Sequence, residues 1–223
     1  MLKAVIFDMD GVLIDSEPDH YKIEQKIFDK LGIKISCSEH ERFCGTTSDY
    51  MWKTLKEKYN LKQSLKQLVQ MDRTSYFKYL NDSAEKICAI DGVKELIQKI
   101  DENNIIMAVA SSSPVPVIKT VIKILNFDKY FKALVSGDEV KSSKPAPDIF
   151  LAAAGKINVK PSECLVVEDS ENGVKAAKRA EMKCIGYKNI NSGRQDLSGA
   201  DTIINCFNDI SFDDVKKIFL QNI

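Results

Sequence analysis

The stretch LKAVIFDMDGVLID, residues 2–15, decides the fold of this chain. Its first six residues, 2–7, form a nearly continuous apolar run, which is typical of a strand buried on both faces in a parallel sheet. Two aspartates, Asp8 and Asp10, follow this run directly. The stretch therefore predicts a central buried strand that carries two carboxylates at its carboxyl end.

Similar apolar runs recur in the second half of the chain, separated by segments with helical spacing of apolar residues. The runs lie at 105–110, 133–135, 165–167, 183–186 and 202–204. Helical spacing is clear at Val93, Leu96, Ile97 and Ile100, before the first of these runs. Strands that alternate with helices predict an α/β fold with a doubly wound parallel sheet.

The segment 16–88 differs, because it lacks a convincing strand run and carries amphipathic helical patterns instead. The first helix is expected to end at Gly32. A capping box is expected at Thr46 with Asp49, before a later helix. His40 is expected at the surface. The segment is thus predicted to be an all-helical unit.

These patterns divide the chain into two predicted domains. Residues 1–15 and 89–223 would form the α/β core domain, and residues 16–88 an α-helical cap inserted after the first strand. The hinges between the two domains are expected near residues 15–18 and 89–92. A length of 223 residues suits this arrangement, because it exceeds one typical domain and falls short of two.

Composition excludes several classes of protein. Lys plus Arg and Asp plus Glu number 32 each, so no nucleic-acid or membrane-surface partner is expected. Six cysteines without a C-x-x-C pair, together with only two histidines, make a zinc site improbable. No signal peptide and no bilayer-length apolar stretch are seen, so we expect a cytoplasmic protein with reduced thiols.

Polar residues follow the predicted strands, where ligands of open parallel sheets bind. In chain order these are Asp8 and Asp10, the serines Ser111, Ser112 and Ser113, Lys144, and the pair Glu168 and Asp169. Carboxylates without His or Cys suit a hard cation, most of all Mg²⁺, and phosphate is the anion that Mg²⁺ and lysine commonly hold together. No G-x-x-x-x-G-K-[ST] loop is present, which argues against a nucleotide-binding P-loop.

Each of these residues also has a simpler explanation. The two aspartates could belong to a turn, Ser111 could cap a helix, and Lys144 could lie in a solvated loop. The combination favours chemistry, because an aspartate can act as a nucleophile through an aspartyl phosphate. Asp8 could attack phosphorus while Asp10, on the same side of an extended chain, handles a proton.

The motifs resemble those of the haloacid dehalogenase superfamily, and the resemblance spans essentially the whole chain. The superfamily's four motifs correspond in order to DMDGVLIDS at residues 8–16, Ser111, Lys144 in KPAP at residues 144–147, and EDS at residues 168–170 followed by Gly173. The subgroup it looks most like is that of the β-phosphoglucomutase-like proteins. The resemblance implies a Rossmann-like core with a helical cap and a Mg²⁺ cofactor.

The resemblance also implies roles for individual residues. Asp8 would be the nucleophile and Asp10 the general acid and base, with the Asp10 backbone oxygen on the metal. Asp8 and Asp169 would bind Mg²⁺ by their side chains, with Glu168 in the same acidic cluster. The transferring phosphoryl group would be held by Ser111, the Ser112 backbone and Lys144. On the cap, His20 and the loop Gly45-Thr46-Thr47 would face the substrate.

The sequence departs from true β-phosphoglucomutases at positions that matter for a second phosphate. The cap-loop arginine of those enzymes aligns with Ser48, and their Lys-Asn after motif two is Pro114-Val115 here. Arg73 falls near another basic cap position and could compensate in part. We therefore expect a phosphatase of a small phosphorylated metabolite, plausibly a sugar phosphate, with a β-phosphoglucomutase as the alternative.

Two further classes remain as alternatives. Halide removal from carbon is disfavoured by Asp10, because dehalogenases of the superfamily lack the second aspartate of motif one. A non-catalytic binding module is disfavoured because Asp8, Asp10, Lys144 and Asp169 are all present. The expected partner is a small phosphorylated metabolite, and the expected assembly is a monomer or a weak homodimer.

Overall fold

The computed structural model describes residues 1–221; residues 222 and 223, the end of the predicted core domain, lie outside the described residues. A six-stranded sheet forms the centre of the core. Its strands are β1 (Ala4–Phe7), β2 (Ile106–Ser111), β3 (Phe131–Ser136), β4 (Cys164–Glu168), β5 (Lys183–Tyr187) and β6 (Thr202–Ile204). All neighbouring pairs are parallel, in the order β3-β2-β1-β4-β5-β6. The sheet confirms the predicted fold class.

The strand order places the first and fourth strands side by side at the point where the order reverses. Phe7, the last residue of β1, pairs with Val109 on one side and with Val167 on the other. The residues that follow β1, β2 and β4 therefore emerge at one edge of the sheet. Ligands of open α/β sheets bind at such a reversal point, because the connections on either side leave a crevice there.

Helices cover both faces of the sheet. The core helices are α5 (Val93–Glu102), α6 (Val115–Ile124), α7 (Asp148–Lys156), α8 (Glu171–Arg179) and α9 (Phe212–Leu220). Alternate strand residues serve opposite faces: Val5 and Phe7 pack in one apolar cluster with α5, α6 and α9, whereas Ala4 and Ile6 pack in a second with α7 and α8. Within residues 1–221, no helix combines the length and the apolarity that crossing a bilayer requires.

The insertion between β1 and α5 is helical, as its sequence pattern predicted. Its helices are α1 (Glu17–Leu31), α2 (Cys37–His40), α3 (Ser48–Tyr59) and α4 (Leu65–Asp82). Helix α1 ends at Gly32, whose φ of 70° is the left-handed conformation expected at that position. The capping box at Thr46 with Asp49 was wrong: Thr47 caps α3 by accepting the Tyr50 N–H, and Thr46 donates its hydroxyl to the Phe43 carbonyl.

The two connections of the insertion run side by side. Ile14 forms an isolated antiparallel bridge with Ala89, and the Ile90 N–H donates to the Leu13 carbonyl at 2.9 Å. We propose that residues 16–88 form a cap domain that turns on this double connection.

The insertion has an apolar interior that continues the first cluster of the core. The indole of Trp52 is fully buried and packs against Phe28, with ring centroids 5.6 Å apart. Helix α4 contacts both α1 and α3, and it also contacts α6 of the core. The insertion therefore lies next to the sheet edge where the residues that follow β1, β2 and β4 emerge.

Candidate active site

A cleft of about 340 Å³ lies between the helical insertion and the carboxyl ends of β1 and β4. Its lining includes most of the residues singled out by sequence: Asp8, Asp10, His20, Gly45, Thr46, Thr47, Ser112, Lys144, Glu168 and Asp169. Ser111 is fully buried behind this lining and contacts it through Asp10. The fold thus gathers motifs from distant parts of the chain at one place.

Lys144 lies buried between two carboxylates. Its Nζ donates to Asp8 Oδ1 at 2.5 Å and to Glu168 Oε1 at 2.6 Å, and its side chain is 5% exposed. Burial alone would lower the pKa of Lys144, but these two carboxylates outweigh burial and raise it. Lys144 is therefore held as a cation at the end of the central strand.

Asp8 is surrounded by more negative charge than Lys144 can balance. Burial, with the nearby charges of Glu168 and Asp10, outweighs the attraction of Lys144 and raises the pKa of Asp8 to about 8. Burial and the charges of Glu168 and Asp8 likewise raise the pKa of Asp169. A further cation among these carboxylates would restore their ionised forms.

Asp10 is fixed by three serine hydroxyls. Ser16 Oγ donates to Oδ1 at 2.8 Å, and Ser111 Oγ and Ser113 Oγ donate to Oδ2 at 3.1 and 2.8 Å. Ser16 stands at the N-cap position of α1, yet its hydroxyl goes to Asp10 rather than to the helix. The Asp10 carboxylate is therefore oriented from both the insertion side and the β2 side.

Asp169 is held by a loop that follows β5. The buried Ser192 donates its hydroxyl to Asp169 Oδ2 at 2.5 Å. Asn189, also buried, donates its amide to the Gly11 carbonyl at 3.1 Å. Gly11 has φ +80°, and a Cβ there would lie 2.0 Å from Asp169 Oδ2. A glycine is thus required at this position, because the first motif loop approaches the Asp169 carboxylate too closely for any side chain.

The donor set fits Mg²⁺. No three His, Cys, Asp or Glu side chains in the described part of the chain stand close enough together to form a ready metal cluster. Mg²⁺ does not need one, because it keeps several waters and commonly binds through one or two carboxylates plus a substrate phosphate. Asp8 and Asp169 offer two carboxylates in the cleft, next to the point where the Gly11 backbone closely approaches Asp169.

Glu168 is more fully engaged than Asp8 and Asp169. One of its oxygens accepts Lys144, and the other accepts the N–H groups of Asp169 and Ser170 and the Ser170 hydroxyl, at 2.9 to 3.0 Å. A metal would have to displace one of these donors to bind Glu168 directly. Its contacts are those of a residue that positions Lys144 and the start of α8.

The insertion closes the cleft from above. His20 stacks on Tyr76, with ring centroids 3.8 Å apart. Burial would lower the pKa of His20, but the carboxylates around it, foremost Asp10, outweigh burial and raise it. At Gly45, where φ is +72°, a Cβ would lie 2.9 Å from the Ser170 Cβ, so the cap loop touches the core.

His40 is not at the surface, contrary to the expectation from sequence. It is 6% exposed and pairs through Nε2 with Glu24 Oε2, which is buried as well. Helix α2 is only one turn long, and it folds back so that His40 faces α1. Burial lowers the pKa of His40 and raises that of Glu24, so the pair is held close to neutral.

Several residues of the site were missed by sequence reasoning. Ser192 and Asn189 follow β5, and applying the strand-end rule to that strand would have found them. Ser113 was placed in the serine cluster after its strand, but its hydroxyl contact with Asp10 was not expected. Glu24 and Asp72 lie on insertion helices, where only the tertiary structure reveals that they line the cleft.

Comparison with known proteins identifies a matching family model and two similar proteins. A family model described as haloacid dehalogenase-like hydrolase matches residues 5–187. The phosphorylated carbohydrates phosphatase of Thermotoga maritima is 33% identical over 187 residues, covering 82% of this chain and 84% of that protein. The beta-phosphoglucomutase of Bacillus subtilis is 28% identical over 219 residues, covering 95% of this chain and 93% of that protein.

The fold has solved counterparts as well. A crystal structure of beta-phosphoglucomutase from Clostridium difficile superposes with a TM-score of 0.85 at 25% identity, covering 98% of this chain and 97% of that one. The similarity therefore includes the helical insertion as well as the sheet.

Proposed function

The chain belongs to the haloacid dehalogenase-like hydrolases, and from this premise we propose that it is a Mg²⁺-dependent phosphatase of a sugar phosphate or a similar small metabolite. The observation that carries the proposal is the buried arrangement of Lys144 between Asp8 and Glu168, with Asp10 oriented beside it. Burying this many charged groups together does not by itself stabilise a fold, because each group loses its hydration. The arrangement does suit the binding of a phosphoryl group.

The first step forms an aspartyl phosphate. An Asp8 carboxylate oxygen attacks phosphorus, the ester P–O bond breaks, and Asp10 gives a proton to the leaving oxygen. Lys144 and the backbone N–H of Ser112 bind the phosphoryl oxygens and stabilise the charge that they carry in the transition state. The Ser111 and Ser113 hydroxyls orient Asp10 toward the leaving group.

The second step releases phosphate. Asp10, now ionised, takes a proton from water, which attacks phosphorus, and the P–O bond to Asp8 breaks. Asp8, Asp169 and the Asp10 backbone oxygen would hold Mg²⁺, which supplies positive charge next to the phosphoryl oxygens. Closure of the insertion over the cleft excludes bulk water during the first step.

The neighbourhood of Arg73 favours hydrolysis over isomerisation. A mutase must bind a second phosphate at the far end of its substrate. Arg73 lies in the cleft, but it already donates to Asp138 at 3.0 Å through two nitrogens and to Asp49 at 3.4 Å. Ser48, at the position of the mutase arginine, carries no charge.

A phosphohexose mutase is the second candidate. Arg73 still lines the cleft, and one relative is named beta-phosphoglucomutase. If the bound substrate displaced Asp138 from Arg73, a second phosphate could bind there. The two candidates differ in product: a phosphatase releases free phosphate, whereas a mutase moves it between two carbons of one sugar.

Phosphorus NMR with Mg²⁺ and a panel of sugar phosphates, including β-glucose 1-phosphate, tests the proposal. Free phosphate that grows as substrate disappears is the expected result. Conversion of the 1-phosphate into the 6-phosphate with little free phosphate would overturn it in favour of the mutase.

The Asp8→Asn variant tests the nucleophile. We expect it to lose turnover and to lose the covalent phosphate that acid quenching traps on the active protein. Asp101→Asn, at an exposed site on α5, is the matched control and should retain both. Full activity in Asp8→Asn would exclude the aspartyl-phosphate mechanism.

A further inference from the structure

The insertion presents a wall of carboxylates to the cleft, opposite the phosphoryl-binding end. Three of them, Glu17 and Glu24 on α1 and Asp72 on α4, make up what we call the acidic wall. The proposed mechanism uses none of the three. Because they line the same cleft as Asp8, they face whatever part of the substrate extends beyond its phosphate.

Asp72 carries the strongest signal in this wall. The residue is 3% exposed, and its Oδ2 accepts the indole N–H of Trp52 at 3.1 Å. Its Oδ1 is buried without any hydrogen-bond partner, the single such side-chain atom within residues 1–221. Leaving a buried carboxylate oxygen without a hydrogen bond destabilises a fold, so this oxygen calls for an explanation.

Within residues 1–221, no group donates a hydrogen bond to this oxygen. Glu24, its neighbour on the wall, is already paired with His40. The Trp52 indole has a single N–H, and Asp72 Oδ2 takes it. A ligand that lies in the cleft and offers a hydroxyl or ammonium hydrogen is therefore the natural partner for Oδ1.

The charge of the whole cleft also bears on which substrates can bind. Nine carboxylates line it: Asp8, Asp10, Glu17, Glu24, Asp49, Asp72, Asp138, Glu168 and Asp169. Three Lys or Arg residues also line the cleft. Lys144 donates a hydrogen bond to Asp8, and Arg73 is paired with Asp138 and Asp49. The third, Lys141, is exposed on the core side. Glu24 is held close to neutral with His40, and His20, whose pKa the surrounding carboxylates raise, adds positive charge. The other eight carboxylates still outnumber these cationic groups, so a second acidic group on the substrate would meet mostly repulsion here.

We propose that the acidic wall selects monophosphates whose leaving group carries hydrogen-bond donors and no second acidic group, with Asp72 Oδ1 as the acceptor. The substrate class is then a polyhydroxylated monophosphate, with or without an amino group. The inference rests on the proposed function, because that function places the phosphate at Asp8 and so directs the leaving group toward the wall.

Asp72→Asn is the variant that tests this inference. The asparagine oxygen can still accept the Trp52 N–H, which leaves its NH₂ group in place of the acceptor. A hydroxyl or ammonium group of the substrate then faces the asparagine NH₂ group, which is itself a hydrogen-bond donor and cannot accept its hydrogen. Asp82→Asn is the matched control, because Asp82 ends the same helix and is exposed.

The readout is selectivity among four substrates in Mg²⁺: glucose 6-phosphate, glucosamine 6-phosphate, fructose 1,6-bisphosphate and p-nitrophenyl phosphate, which has no donor on its leaving group. In the native protein, kcat/KM should be higher for the two hexose monophosphates than for the bisphosphate. In Asp72→Asn, selectivity for them over p-nitrophenyl phosphate should fall about tenfold or more through KM. Asp82→Asn should keep the native ratios.

Two results would overturn the inference. One is an equal loss for all four substrates in Asp72→Asn, which indicates a structural role for Asp72. The other is a native preference for the bisphosphate, which indicates that Arg73 or Lys141 binds a second phosphate. The relative rates for glucosamine and glucose 6-phosphate separate ammonium from hydroxyl recognition.

Failure of the proposed function can be told apart from failure of the inference. If no compound releases phosphate, the function is wrong, and calorimetric binding of the same sugar phosphates still tests the wall. Weaker binding of glucose 6-phosphate to Asp72→Asn than to Asp82→Asn would support the inference. Equal binding to both would reject it.

Discussion

Residues that hold the proposed catalytic side chains matter here as much as those side chains themselves. Asp10 receives three hydroxyls, Asp169 receives one, and Asp8 receives Lys144. Carboxylates packed this closely repel one another, so each has to be fixed by a donor before a metal or phosphate arrives. Groups of this kind carry no reactivity of their own, yet they set the geometry in which the reactive groups work.

Ser192 is such a positioning residue, and Ser192→Ala tests it. We expect the dissociation constant for Mg²⁺ to rise about 10- to 100-fold, because the Asp169 carboxylate loses the donor that orients it. Titration calorimetry of Mg²⁺ measures this without turnover. Ser198→Ala, at an exposed site in the same loop, should bind Mg²⁺ normally; a similar loss in both variants would mean that the loop as a whole had been disturbed.

Among the elements, the connection from β5 to β6 has two roles. It supplies residues of the candidate active site, and it holds the edge strand β6 against β5. Its last residue before β6, Asp201, makes two hydrogen bonds with the backbone of Cys184 in β5. The Asp201 N–H donates to the Cys184 carbonyl, and the Cys184 N–H donates to the Asp201 side chain at Oδ2, both at 2.8 Å. Lys178 and Lys183 donate to the same carboxylate at 2.7 and 3.0 Å. Asp201 therefore anchors the short edge strand.

The pH dependence of stability should reflect this anchor. Burial would raise the pKa of Asp201, but the donors from Lys178, Cys184 and Lys183 outweigh burial and lower it. A lowered folded-state pKa contributes stability above the ordinary value of about 4, and that stability is lost as pH falls through the folded-state value. We expect Asp201→Asn to reduce the free energy of unfolding by about 1–2 kcal/mol at pH 7 and by less at pH 3.

Urea unfolding at the two pH values measures this difference. Asp128→Asn, an exposed aspartate of the core, provides the control and should match the native protein at both. A destabilisation of Asp201→Asn that does not change with pH would mean that the carboxylate charge is not what anchors β6.

For the molecule as a whole, the decisive contact is the one between the insertion and the core. Arg73 of α4 binds Asp138, the Gln195 amide donates to the Cys44 carbonyl at 3.3 Å, and Gly45 lies against Ser170. All three contacts lie at the rim of the cleft and are polar or small. Polar contacts of this kind hold a domain closed only weakly, and we propose that they break to let substrate enter and product leave, while the apolar contact of α4 with α6 keeps the insertion attached.

Asp138→Asn should therefore favour the open state. Arg73 and Asp138 are both partly exposed, at 29% and 44%, so their pairing contributes at most about 1 kcal/mol, or roughly a fivefold change in the ratio of closed to open. Hydrogen exchange of the peptide 41–48 should be faster in this variant at low salt, and the difference should shrink in high salt.

The control for this experiment is Lys99→Gln, which breaks an exposed ion pair with Glu102 inside α5. Its exchange at residues 41–48 should equal that of the native protein. If Asp138→Asn also leaves exchange unchanged at low salt, the ion pair does not hold the insertion closed.

Much of the fold could be predicted because local patterns encode it. A strand buried on both faces has to be apolar along its length, and so all six strands were found within a few residues of their bounds. The same logic located Asp8, Asp10, Ser111, Lys144, Glu168 and Asp169, since parallel strands deliver the residues after them to one edge. The role assigned to each of these residues remains a prediction.

Local patterns in the sequence were enough to find the strands, the helical nature of the insertion and the chemical groups that follow the strands at the sheet edge. The packing of the folded chain was needed to show that His40 is buried against Glu24, that Ser192 reaches Asp169, and that Asp72 lines the cleft while its Oδ1 is buried without a partner. The reason is physical: strand ends are brought together by a regular hydrogen-bonded sheet, whereas the cap and loop contacts depend on how whole helices pack, and no local spacing of residues records that.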